Sequence, residues 1–241
     1  MVQGKKIAVA SLCAAVSITL HGAARAQFVE TTDAGQTLIT ASSTATGLAG
    51  TALTTINGSF AGLNDADLFA ITITTPSTFS AKTTNAVTDA GGQDTALFLF
   101  DASGHAIATN DDAAGGLTLD STLPAGNSLF ATLAAGTYFL GISESGNEAI
   151  NSASQLLFAG YPGGDTTAVR GAASGLNPTT LATFNSNAFV GGGAGAYEID
   201  LTSAATATNP NAVPEPSAWT ALGLGSLAAG ALILRPRTRR A

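Results

Sequence analysis

One cysteine, two histidines, one tryptophan and nine basic side chains are all that 241 residues supply of these types, and their positions narrow what the chain can do. Cys13 and His21 both stand in the first 26 residues, where Lys5 and Lys6 precede an apolar run from Ile7 to Leu20 and Ala24-Arg25-Ala26 follows it. That order is the layout of a secretory signal helix cleaved after Ala26, with Ala24 and Ala26 as the small residues at the cut. The bulky Leu12 before Cys13, and its place inside the apolar run, argue against a lipid-modified cysteine. The exported chain would then hold neither a disulfide nor a thiol nucleophile, so its stability must come from a packed core.

Basic charge is scarcer than the total suggests. Seven of the nine Lys and Arg side chains lie at the two ends (Lys5, Lys6, Arg25, Arg235, Arg237, Arg239, Arg240). Residues 27–212 keep only Lys82 and Arg170 against fifteen acids, a net charge of −13. Such a surface repels phosphate backbones and attracts cations, which excludes nucleic acid as a partner. These 186 residues suffice for one sizeable domain.

The C-terminal end has three parts: Val213-Pro214-Glu215-Pro216-Ser217, an uncharged run of sixteen residues from Trp219 to Leu234, and the basic tail Arg235-Pro236-Arg237-Thr238-Arg239-Arg240. As a helix the run is roughly 24 Å long, short for a bilayer core of about 30 Å but workable as a span over 217–234 with local thinning. The four arginines would stop the tail on the cytoplasmic side. Pro214 and Pro216 keep the preceding backbone extended, a shape that a processing enzyme can grip. This ending, residues 213–241, resembles the PEP-CTERM sorting signal of Gram-negative bacteria, with Pro214, Glu215 and Pro216 as the sorting motif. The resemblance implies recognition by exosortase, transient anchoring in the inner membrane, delivery to the cell surface or extracellular matrix, and an association with exopolysaccharide and biofilm.

Between the ends, period-two alternation recurs between turn-forming clusters and helical periodicity does not. Phe69, Ile71 and Ile73 alternate with Ala70, Thr72 and Thr74, and Pro76-Ser77 predicts a hairpin into 78–83. Asp94 to Phe100 is apolar on both faces, as a central strand should be, and Ala102-Ser103-Gly104 turns it into 105–109. Further strands are predicted over 128–133, 137–143 and 196–202. The expected fold is all-β, an antiparallel β-sandwich or jelly roll of about 8 strands, because no helical crossovers separate them. Residues 144–195 lack periodicity and read as a long loop before the closing strand.

Four stretches resemble the bacterial pre-peptidase C-terminal domains: Asp65-Ala66-Asp67-Leu68-Phe69, Asp94 to Asp101, Asn110-Asp111-Asp112, and Leu133 to Ser143. The likeness covers residues 65–143. It implies a small β-sandwich that accompanies secreted enzymes without catalysing, and that in some members binds calcium or a polymer. No peptidase domain precedes it in this chain.

His105, alone in 27–212, would have to serve any Ser-His-Asp triad, and the chain contains no G-x-S-x-G elbow. One histidine without cysteine does not make an ordinary zinc site. A secreted hydrolase working through two carboxylates, or an accessory binding module of one, is the alternative that composition leaves open. Calcium suits the acids better. It takes six to eight oxygens, and Asp65, Asp67, Asp94, Asp101, Asp111 and Asp112 flank expected strand ends where loops converge. Asp at turns also caps backbone amides, the plainer role for the same residues. Adjacent carboxylates repel without a cation, which singles out Asp111 and Asp112. The sequence thus points to a non-enzymatic, exported structural or adhesive protein with extracellular polysaccharide as a candidate partner. Its only tryptophan, Trp219, lies in the anchor and is no platform for sugars.

Overall fold

The computed structural model describes residues 25–62, 64–84, 94–113, 119–159, 167–186 and 195–213. The signal segment up to Ala24, the sorting motif Pro214–Pro216, the span 217–234 and the tail arginines Arg235, Arg237, Arg239 and Arg240 lie outside them; Ala26 falls within the first strand. Among the described residues no helix is long and apolar enough to cross a membrane. The fold is β-sheet-rich.

The strands are β1 (Arg25–Val29), β2 (Ser42–Ser43), β3 (Ala52–Phe60), β4 (Ala66–Ile73), β5 (Ser80–Thr83), β6 (Thr95–Asp101), β7 (Ala106–Asn110), β8 (Thr122–Leu123), β9 (Gly136–Glu144), β10 (Asn147–Ile150), β11 (Thr183–Ser186) and β12 (Gly195–Thr206). The main sheet runs β1-β3-β12-β4-β9-β6-β7. Most pairs are antiparallel, but β1 joins β3 and β2 joins β4 in parallel, which alternation alone could not foretell.

β12 holds the two parts of the sheet together. On one side it follows β3. On the other, Ile199–Thr202 pairs with β5 and Ala204–Thr206 with β4. The change of partner falls at Ser203, a non-glycine residue at φ 54 where the register shifts. Such a bulge bends a strand and lets it serve two neighbours. Thr74 secures the bend, donating from both its backbone N–H and its hydroxyl to the Ser203 carbonyl, each at 2.9 Å. The expected 69–74/78–83 hairpin therefore does not form: β4 leaves for β9 and β5 docks on β12 and β8. The β6/β7 hairpin does form as the turn residues indicated, with Gly104 at φ 86.

Two apolar cores lie on opposite faces of β4, β9 and β6. The first gathers Phe69, Ile71, Leu97, Leu99, Leu140 and Ile142 against Leu53, Ile56, Phe60, Tyr197 and Ile199 of β3 and β12. The second gathers Leu68, Ala70, Phe98, Phe100 and Phe139 under Leu157, Phe158, Leu181 and Phe184. β4 is thus buried nearly throughout, and Ala70, on the face opposite Phe69 and Ile71, is fully covered as well. Residues 128–130 form a 3-10 turn instead of the expected strand, capped by the Asn127 side chain accepting from the Leu129 N–H at 3.0 Å. The described parts of 144–195 are not a bare loop: β10 and β11 pair there, and Phe158 and Phe184 pack on Phe98 with ring centroids 5.7 and 5.2 Å away.

Phe158 is 2% exposed and also lies 5.5 Å from the Phe100 ring. Phe158→Ala is expected to cost roughly 3–5 kcal/mol, the usual range for emptying an aromatic site in a core. Urea unfolding of the variant measures it; a midpoint equal to the parent's would mean that the segment covers nothing.

Candidate functional site

Strand register decides which acids meet. Ala66 faces Ser143, Thr95 faces Glu144 and Leu97 faces Asn110. The start of β4, the end of β9, the start of β6 and the end of β7 therefore lie side by side. That places Asp65, Asp67, Glu144, Asp94, Asp111 and Asp112 along one end of the sheet. Five of the six sequence candidates are brought together there, and Asp101 is not. It sits at the far end of β6, where Oδ1 accepts from the Ser103 and His105 N–H groups at 2.8 and 2.9 Å and Oδ2 lies 2.9 Å from His105 Nδ1. Asp101 is a turn cap, and His105 is its half-exposed partner.

Asp65 is also occupied by its backbone. Its two oxygens accept from the Ala61 and Ala66 N–H groups at 2.5 and 2.9 Å, closing the loop into β4.

Asp67 is different. It is 0% exposed, and Oδ2 accepts from the Tyr197 hydroxyl at 2.5 Å while Oδ1 has no hydrogen-bond partner among the described residues. Its oxygens belong to a group with Glu30 and Asp33 in which one ligand atom from each residue lies within 4.8 Å of the others. Glu30 directly follows β1 and is fixed by two amides, Ala34 N–H donating to Oε1 at 2.7 Å and Ser59 N–H to Oε2 at 2.9 Å. Asp33 is exposed and accepts from the Gly35 N–H at 3.4 Å. The cradle needs Gly58 on β3: a Cβ there would come within 2.7 Å of Glu30 Oε2 and closer still to the Tyr197 phenol. Glu30 and Asp33 went unremarked in the sequence because nothing local links them to Asp67, 37 and 34 residues on. Only the β1/β3 and β3/β12 pairings close that distance.

Burial pushes the Asp67 carboxyl up to about 8, against the Tyr197 hydrogen bond, with the charges of Glu30, Asp65 and Asp33 adding to the rise. A buried carboxyl with an empty oxygen, beside two more carboxylates, becomes a charged ligand once a cation supplies the missing countercharge. Asp67 thus fits a hard cation held by oxygen.

A second acidic group lies farther along the same end. Ser145 donates its N–H to the Asp94 carbonyl at 2.8 Å and its hydroxyl to Asp111 Oδ2 at 3.2 Å. The Asp94 carboxyl is raised to about 7 by burial and by Asp111, Asp112 and Glu144. Asp111 rises to about 6 and Glu148 to about 7, burial being the main cause in both, with Arg170 pulling each the other way. Among the described residues the oxygens of this group do not converge as those of the trio do.

These shifts set a pH dependence of unusual sign. The folded state keeps protons on Asp67, Asp94, Asp111 and Glu148 at pH values where the unfolded chain, with ordinary carboxylates, has released them. Their contribution to stability is full below the ordinary carboxylate range and is lost as pH rises through about 6 to 8. With divalent cations chelated, the melting temperature should therefore fall between pH 5 and pH 8.5; a constant or rising value would contradict the burial of these groups.

Compared with known proteins, the chain matches no family model, no curated protein and no solved structure.

Proposed function

We propose that this is an exported, surface-sorted structural or adhesive protein whose β-sandwich, similar to the pre-peptidase C-terminal domains, is held together by calcium at Glu30, Asp33 and Asp67. The terminal segments support export and sorting: the basic and apolar start with Ala24 and Ala26, and the Pro214-Glu215-Pro216 motif with its apolar run and arginine tail, which fits exosortase as the processing partner. Two strand groups facing each other across one core, with β12 passing between them, support the sandwich reading.

The observation that carries the calcium assignment is the Asp67 Oδ1 atom, buried and without a hydrogen bond inside a group of three carboxylates. Burial also speaks for a ligand role over a catalytic one, since a carboxyl at 0% exposure does not reach a substrate. Asp94 and Asp111, among the sequence's other candidates, also keep a buried Oδ1 without a hydrogen bond, but among the described residues they form no group of three converging carboxylates, and Ser145 already donates to Asp111 Oδ2, so they are the weaker case. The ion would join the segment after β1 to β4, two parts of the chain without a disulfide to tie them.

Calcium should raise the melting temperature of the full chain at pH 8, and EGTA should reverse the rise. At about one hundred times Kd the gain is about 2.7 kcal/mol, roughly 5–10 °C for a domain of this size. Asp67→Asn keeps the side-chain shape but removes the charge. It should abolish the calcium response while leaving the chelated protein at least as stable as the parent at that pH. Superimposed curves with calcium and EGTA in the parent would remove the ion from the account.

A further inference from the structure

The calcium group opens onto a cavity. Glu30 and Asp33, two of its three members, also line a space of about 170 Å3 together with Thr31, Thr32, Ser59 and Ala61. The side chains of Thr31, Thr32 and Ser59 are exposed there. The third member, Asp67, is not a lining residue; it lies behind the other two, fully buried with its unpartnered Oδ1, and offers an oxygen within 4.8 Å of theirs. The site therefore has a protein side and a solvent side.

Coordination is incomplete from the protein alone. Calcium takes six to eight oxygens. Asp67 Oδ2 is held by Tyr197 and both Glu30 oxygens accept from backbone amides, so each carboxylate offers the ion about one oxygen, Glu30 through the second lone pair of an oxygen that is already hydrogen-bonded. Several positions are left facing the cavity, to be filled by water or by oxygens of a ligand. Charge decides which ligand. Three carboxylates and one divalent ion leave a net negative centre, Asp65 adds its field, and residues 27–212 carry −13 overall. An anionic sugar would be repelled. A neutral one, offering two adjacent hydroxyls to the ion and others to Thr31, Thr32 and Ser59, matches both the charge and the lining. Among the described residues no aromatic side chain lines the cavity, and the contacts proposed here do not use stacking.

We propose that this cavity binds a neutral, hydroxyl-rich glycan through a vicinal diol placed on the calcium held by Glu30, Asp33 and Asp67, with the hydroxyls of Thr31, Thr32 and Ser59 completing the contacts. The inference rests on the calcium reading above and gives that site a partner. Ser59 is well suited to a double role, because its backbone N–H positions Glu30 while its side chain remains available to a sugar.

The test uses two calorimetric titrations of the full chain. The first titrates calcium alone. The second, with calcium present and again with EGTA, titrates manno-, gluco- and galacto-oligosaccharides, with oligogalacturonate as the anionic comparison. Binding of at least one neutral oligosaccharide in calcium, lost in EGTA and stronger than that of oligogalacturonate, is the expected result. Thr31→Val with Thr32→Val should leave the calcium titration within about twofold of the parent, which reports an intact site. The same pair should weaken sugar binding roughly tenfold, the effect of two lost hydrogen bonds. No heat from calcium would overturn the cation reading and this inference with it. Calcium binding without any neutral sugar, sugar binding that survives EGTA, or tighter binding of oligogalacturonate would overturn the glycan inference alone.

Discussion

Burial of β4, β9 and β6 on both faces is the constraint on which the other features depend. Twenty or more apolar side chains in the first core lock these strands to β3 and β12, and the aromatic group of Phe98, Phe100, Phe158 and Phe184 closes the opposite face. Without disulfides, and with few charges available for pairing, burial of apolar area is the main stabilising term. It also fixes register, because a slip of one residue in β4 would exchange Leu68 and Ala70 with Phe69 and Ile71 between cores of different shape.

The acidic end of the sheet follows from that register. Strands held firmly along their length bring their ends into line, and the sequence places carboxylates at the start of β4 and β6 and after β7. One of these, Asp65, serves the backbone and closes the loop into β4, as Asp101 caps a turn at the opposite end of the sheet. Asp67 does not: its neighbour Leu68 faces one core, its partner Tyr197 reaches over from β12, and one oxygen has nothing to accept from. A buried carboxyl of this kind is costly in an empty site and favourable in a filled one, so a cation bound as proposed would stabilise the fold and the fold the cation.

The cavity beside this site is lined by Thr31, Thr32, Ser59 and Ala61 together with Glu30 and Asp33. On the calcium reading proposed above, a bound ion would bring positive charge to an otherwise acidic site, and a ligand held through it would be neutral rather than polyanionic.

Much of this was legible beforehand. Alternation and turn residues marked β6, β7, β9 and β12 and the β-rich class, and the charge balance pointed to cations before any geometry was known. Asp65, Asp67, Asp94, Asp111 and Asp112 were recognisable as strand-end acids because strand ends and Asp are both local features. What remained hidden is non-local. The β4/β5 hairpin failed because β4 pairs with β9 and β5 with β12 and β8, and 144–195 looked structureless because the apolar residues of its described parts cover a sheet face without alternating themselves. Glu30 and Asp33 carry no signal of their own, and only the pairing of β1 with β3 and of β3 with β12 sets them beside Asp67. The sequence by itself determined which segments extend and where negative charge accumulates, since both depend on neighbours along the chain. Which strands pair, which faces are covered and which carboxylates are left with a vacant oxygen were decided by tertiary structure, because those outcomes depend on contacts between residues far apart in sequence.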